Sequence, residues 1–86
     1  MGMAKQQESR PRILVAQWAG GWQATVHYLG PDGFGNSKAE AIGNAIMSRR
    51  DLFSFEVPLD ANPEELGQRV LADPEQYAAI VDAGRR

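Results

Sequence analysis

The chain has a single histidine, His27, the one side chain whose ordinary pKa suits acid–base work near neutral pH. Such work needs partners that orient and tune the imidazole. His27 falls on the polar side of an alternating stretch, and no acid, base or nucleophile is spaced to serve it. A small enzyme centred on His27 is therefore the third of three readings. Gly30-Pro31-Asp32-Gly33-Phe34-Gly35 is glycine-rich and precedes a helix start, a place where backbone N–H groups can hold an anion. It lacks the Gly-Lys-Ser/Thr ending of a phosphate loop and reads as a strand–helix corner. Lys38, Arg49 and Arg50 lie on one expected helix and, with Arg10 and Arg12, supply the charges for an alternative function, nucleic-acid binding. Glu64, Glu65, Asp73 and Glu75 form the opposite group, an acidic surface suited to a basic protein partner. There is no cysteine, and no set of His, Asp and Glu has metal-ligand spacing. The expectation is no catalytic residue, no cofactor and no metal.

The elements that must position these groups are set by one stretch. Ser37 follows a glycine-punctuated turn, and Glu40 stands three residues later at the head of an apolar helical pattern. Ser37 can accept from the free N–H groups of the first turn while Glu40 reaches back, a capping box. The helix is expected from Lys38 to about Arg50, with Ala39, Ile42, Ala45, Ile46 and Arg49 on one stripe. Before it, Ile13–Trp18 and about Trp22–Leu29 alternate as two strands joined by Ala19-Gly20-Gly21. Phe34 and Gly35 suggest a short third strand, and Leu52–Val57 alternates as a fourth that Pro58 ends. Asn62-Pro63-Glu64-Glu65-Leu66 is echoed eleven residues later by Asp73-Pro74-Glu75-Gln76-Tyr77. Each reads as a cap followed by proline at the first helical position, predicting helices over 63–72 and 74–83. Trp18 and Trp22 flank the hairpin turn, and one or both should enter the core. Either one exposed beside Tyr28 or Phe34 would mark a recognition surface.

At 86 residues the chain makes one small domain, of modest stability unless it dimerises. The net charge of −2 conceals an asymmetry: residues 1–55 hold six basic and four acidic side chains, residues 56–82 seven acidic ones and only Arg69. No apolar run approaches the length of a membrane span, and the polar start, Met1–Arg12, has no signal-peptide core. A cytoplasmic location follows as the expectation. Residues 1–12 read as a disordered tail and 13–86 as a single α+β domain: 13–57 as a small antiparallel sheet in β-β-β-α-β order with one helix packed on one face, and 58–86 as an acidic segment of short helices.

Gly35-Asn36-Ser37-Lys38-Ala39-Glu40-Ala41 resembles the Gly-x-Ser/Thr-x-x-Glu-Ala start of the helix in HicB-like antitoxin domains, over roughly residues 13–57. That resemblance implies a β-β-β-α-β order with one helix on one sheet face, in a bacterial or phage protein. In that family the domain grips a small RNA-cleaving toxin and often dimerises. The same residues resemble double-stranded RNA-binding domains, in which lysines at this helix contact phosphates. Here only Lys38 stands at such a position, Ala39 and Ile42 replace basic residues, and Glu40 adds a negative charge. The resemblance there implies shared geometry without shared RNA binding. The sequence thus predicts a non-enzymatic module acting by protein–protein contact, with a small basic toxin-like protein or a second copy as partner, and neither membrane nor nucleic acid.

Overall fold

The computed structural model describes residues 10–27 and 30–82. Strands β1 (Arg12–Trp18), β2 (Gly21–Val26) and β3 (Pro31–Gly35) precede helix α1 (Lys38–Ser48). A single 3₁₀ turn (Arg50–Leu52), α2 (Pro63–Ala72), α3 (Pro74–Tyr77) and β4 (Ala79–Asp82) follow. The sheet runs β3-β2-β1-β4, antiparallel except for β4, which lies parallel to β1. The fold is α+β: a four-stranded mixed sheet, a helix packed on it, and short C-terminal helices.

The Ser37 cap forms as its chemistry demands. Its hydroxyl accepts from Glu40 N at 3.0 Å, and Glu40 Oε1 accepts from Asn36 N at 2.8 Å. The acid thus reaches one residue further back than the usual reciprocal pair. Ser37→Ala should cost about 1 kcal/mol of stability, read as a lower urea midpoint with unchanged slope. From this cap α1 lays Ile42, Ala45 and Ile46 into a core with Ile13 and Val15 of β1 and Ala24 and Val26 of β2. α2 packs on α1 rather than on the sheet, burying Leu66 and Val70 in the same cluster.

The hairpin between β1 and β2 turns on Ala19 (φ 49°) and Gly20 (φ 81°), the two positive φ values of a type I′ turn. β2 ends at Val26, short of the expected Leu29. His27 takes φ 55° and its N–H donates to the Arg12 carbonyl, while Asp32 Oδ2 accepts from Val26 N, so a side chain replaces a strand partner. β3 is longer than expected and starts at Pro31, which lacks an N–H and sits without penalty on an edge strand. Residues 28 and 29 lie outside the described residues, as do 1–9 of the expected tail. Pro11 is already buried, and Arg12 opens β1.

Three expected elements are corrected. α1 stops at Ser48, because Arg49 (φ −126°, ψ 44°) leaves helical geometry, and Arg50 belongs to the 3₁₀ turn. Residues 52–57 are not a strand. Their alternation is real, with Phe53 and Val57 buried and Phe55 half-buried, but it anchors an irregular segment under the core. The sheet edge beside β1 is taken instead by β4, which falls inside the helix expected over 74–83. Among its described residues only Pro74–Tyr77 is helical, and residue 83 lies outside them. Ala78 is extended (φ −163°, ψ 150°), and Ile80 and Val81 pair with Ile13 and Leu14. Two adjacent β-branched residues suit a strand better than a helix end, and pairing with β1 supplies the partner that local capping signals could not reveal.

Candidate functional site

Strand register decides which side chains leave the core. Ile13, Val15 and Gln17 share the α1 side of the sheet with Val26, Ala24 and Trp22, so Leu14, Ala16 and Trp18 face the other way. Phe34 lies opposite Gln23 on that same outer side. Between Trp18 and Phe34 stands only the β2 strand, where Gly21 pairs with Trp18 and contributes no side chain. A Cβ at Gly21 would fall 2.7 Å from the Gly35 carbonyl oxygen, so this position accepts only glycine. Across the gap the indole and the phenyl ring meet at 5.1 Å between centroids, tilted by 50°. Both remain accessible, Trp18 at 53% and Phe34 at 44%. An aromatic contact normally withdraws its rings from water, and this one leaves its outer surface open.

Trp22 goes the other way. It is half-buried against the core, and Lys38 Nζ lies 5.2 Å from its ring centroid and 3.0 Å from Asp82 Oδ2. The hairpin, both tryptophans, Phe34, Asn36 and Glu40 border an open cleft of about 300 Å³. The tryptophans therefore divide: Trp22 contributes to packing, and Trp18 meets the condition set by its exposed neighbour Phe34.

The charged groups predicted from sequence are not gathered into one place. Lys38 and Arg49 stand at opposite ends of α1, about 16 Å apart along its axis. Lys38 is held by Asp82 and Trp22, and Arg49 Nη1 lies 3.8 Å from Asp32 Oδ1. Arg50 donates to the Pro58 carbonyl at 3.2 Å. Each of these cations serves a local contact, and they present no continuous basic face. Of the acids, Glu64 accepts from Ser37 Oγ at 2.9 Å and from Gln68 Nε2 at 3.2 Å, which ties α2 to the start of α1. Glu65 is exposed in the first turn of α2, where Asn62 caps its N–H. Asp73 and Glu75 are exposed at the α2–α3 joint, which Arg10 fastens by donating to the Pro74 carbonyl at 2.9 Å. The four acids thus split between two places.

His27 is exposed in its left-handed turn beyond β2. Among the described residues no group of three or more His, Cys, Asp or Glu side chains is placed to hold a metal ion. No helix among them is long and apolar enough to cross a membrane. Sequence reasoning treated Glu40 as a cap alone; its place on the cleft wall depends on the β3–α1 corner, which no local signal encodes. No family model, no curated protein and no solved structure matches this chain.

Proposed function

We propose that this chain is a non-enzymatic, HicB-like module of antitoxin type that binds a basic protein through the hairpin end of its sheet. The observation that carries this reading is the exposed Trp18–Phe34 stack. Two large aromatic rings left in water are costly for a small domain, and such residues are the commonest anchors of protein interfaces. Charge supports a basic partner: Glu40 lines the cleft with this stack, Glu64 meets Ser37 at the start of α1, and residues 56–82 are strongly acidic. The Gly35-x-Ser37-x-x-Glu40-Ala41 corner and the β-β-β-α part of the order resemble HicB-like domains, although the strand that this resemblance implies at 52–57 is missing and β4 comes only after α2 and α3. The polar groups with defined partners serve caps and joins rather than a reacting centre, as with Glu40 on Asn36 and Asp32 on Val26. Nucleic-acid binding draws less support, since Lys38 stands at the other end of α1 from Arg49 and Arg50 and all three are engaged.

The test is capture from nuclease-treated host lysate by the immobilised chain, beside a Trp18→Ser/Phe34→Ser variant. One small basic protein should be retained by the parent and lost by the variant, with binding weakened at least about 30-fold. Both substituted residues are exposed, so the melting temperature should stay within about 3 °C. Retention of the same protein by both chains would defeat the reading, as would retention of nucleic acid alone from untreated lysate.

A further inference from the structure

We propose that the cleft at the hairpin end receives an arginine side chain of the partner, its guanidinium stacked on the Trp18–Phe34 pair and hydrogen-bonded to Glu40. This rests on the docking reading above and names the chemistry of the group that docks. The cleft combines two features that together fit a cation and fit a neutral apolar group less well. Exposed aromatic rings border it from the outer side of the sheet, Trp18 and Phe34, while Glu40 borders it from the α1 side. Its wall carries a carboxylate, Glu40, whose Oε1 accepts from Asn36 N. A carboxylate has about four acceptor sites, so this one bond leaves capacity for a further donor.

Glu40 is the one charged side chain among the residues that line the cleft; beyond the lining, Glu64 meets Ser37 at the same helix start and Asp82 neutralises Lys38. Lys38 itself is spoken for by Trp22 and Asp82. That contact shows the same pairing of indole face and carboxylate holding a cation within the chain. Arginine suits the open cleft better than lysine. Its guanidinium is planar, sheds water readily, stacks on aromatic faces and presents parallel N–H donors to a carboxylate. A nucleic-acid base could stack on the same rings, but the one charged group lining the cleft is the Glu40 carboxylate, which repels its phosphates.

The experiment titrates the full chain with acetyl-Gly-Arg-Gly-Arg-Gly-amide and with its citrulline counterpart, following the Trp18 indole N–H by NMR. Citrulline keeps the shape of arginine and removes the charge. A saturable shift with the arginine peptide is expected, with the citrulline peptide bound at least about tenfold more weakly. Glu40→Gln should weaken the arginine peptide by about tenfold. Glutamine retains an acceptor for Asn36 N, so the helix start should persist, and unchanged Asn36 and Ser37 amide signals will verify it. Equal binding of both peptides would overturn the arginine assignment while leaving an apolar docking surface intact. No movement of the Trp18 signal with either peptide would also overturn it, and the lysate capture then judges the docking reading separately. A stronger response to oligouridylate than to the arginine peptide would sink both.

Discussion

Gly67→Ala is expected to lower the melting temperature by about 8–16 °C, although alanine is the better helix former. Intrinsic propensity alone predicts a gain of about 1 kcal/mol for this change inside a helix. Tertiary geometry opposes it. A Cβ at Gly67 would fall inside the contact distance of the Ala39 carbonyl oxygen and 2.7 Å from Ala39 Cα. Gly43 of α1 meets Pro63 of α2 in the same way, with a Cβ there 2.7 Å from Pro63 Cα. Each helix thus offers a glycine to the other's backbone. Both obstacles are main chain, which cannot rotate aside as a side chain would. Relief requires α1 and α2 to separate, opening contacts of Leu66 and Val70 with the core. Overpacking of this kind costs about 1–3 kcal/mol or more, and the rigidity of both sides puts it at the upper end. The net loss of about 2 kcal/mol corresponds to about 8–16 °C for a domain of this size. Calorimetry on the purified variant decides the point. An unchanged or higher melting temperature would mean that helix propensity outweighs the clash.

Ile46→Ala should produce the largest stability loss of any single truncation, about 3–4 kcal/mol. Ile46 is fully buried in the cluster that joins α1 to Val15 and Val26 of the sheet and to Val70 of α2. Removing its outer carbons leaves a void in a core built from α1, α2 and the sheet, and backbones held by strand pairing cannot collapse into the space. A domain of this length has about 4–13 kcal/mol in total, so the variant should be partly unfolded at 37 °C if the parent lies in the lower half of that range. Urea titration followed by tryptophan fluorescence gives the value, with an unchanged slope expected. Trp18→Ser offers the contrast. Its ring is larger, yet more than half of it already faces water, so its loss belongs to binding and hardly to folding. A loss below about 1 kcal/mol for Ile46→Ala would show that α1 is not the centre of the core.

The residues themselves made much of this legible. Ser37 and Glu40 announce the start of α1 because the first free N–H groups of a helix need acceptors within four residues, a purely local requirement. Asn62-Pro63 announces α2 for the same reason. The first two strands show in their alternation, because pleating sends neighbours to opposite sides whatever lies across from them. Local signals misled where two partners competed for one place. Residues 52–57 alternate as a strand would, yet the edge of β1 pairs with residues 79–82, whose proline cap reads as a helix. That choice depends on which segment the packing of α1 and α2 brings alongside β1 in the final arrangement.

The candidate site followed the same division. Sequence alone determined that Trp18 and Trp22 flank a tight hairpin turn, that Glu40 caps α1, and that acidic charge collects after residue 56. Only the tertiary structure decided that Trp18 crosses over Gly21 to Phe34 and stays exposed, while Trp22 turns to the core and to Lys38. It also decided that Lys38, Arg49 and Arg50 are each tied to a local partner and that Glu64 belongs with Ser37 rather than with Asp73 and Glu75. Caps, turns and alternation depend on atoms a few residues apart, and so they can be read in order along the chain. A surface is assembled from residues brought together by strand register and helix packing, and that assembly depends on every long-range contact at once.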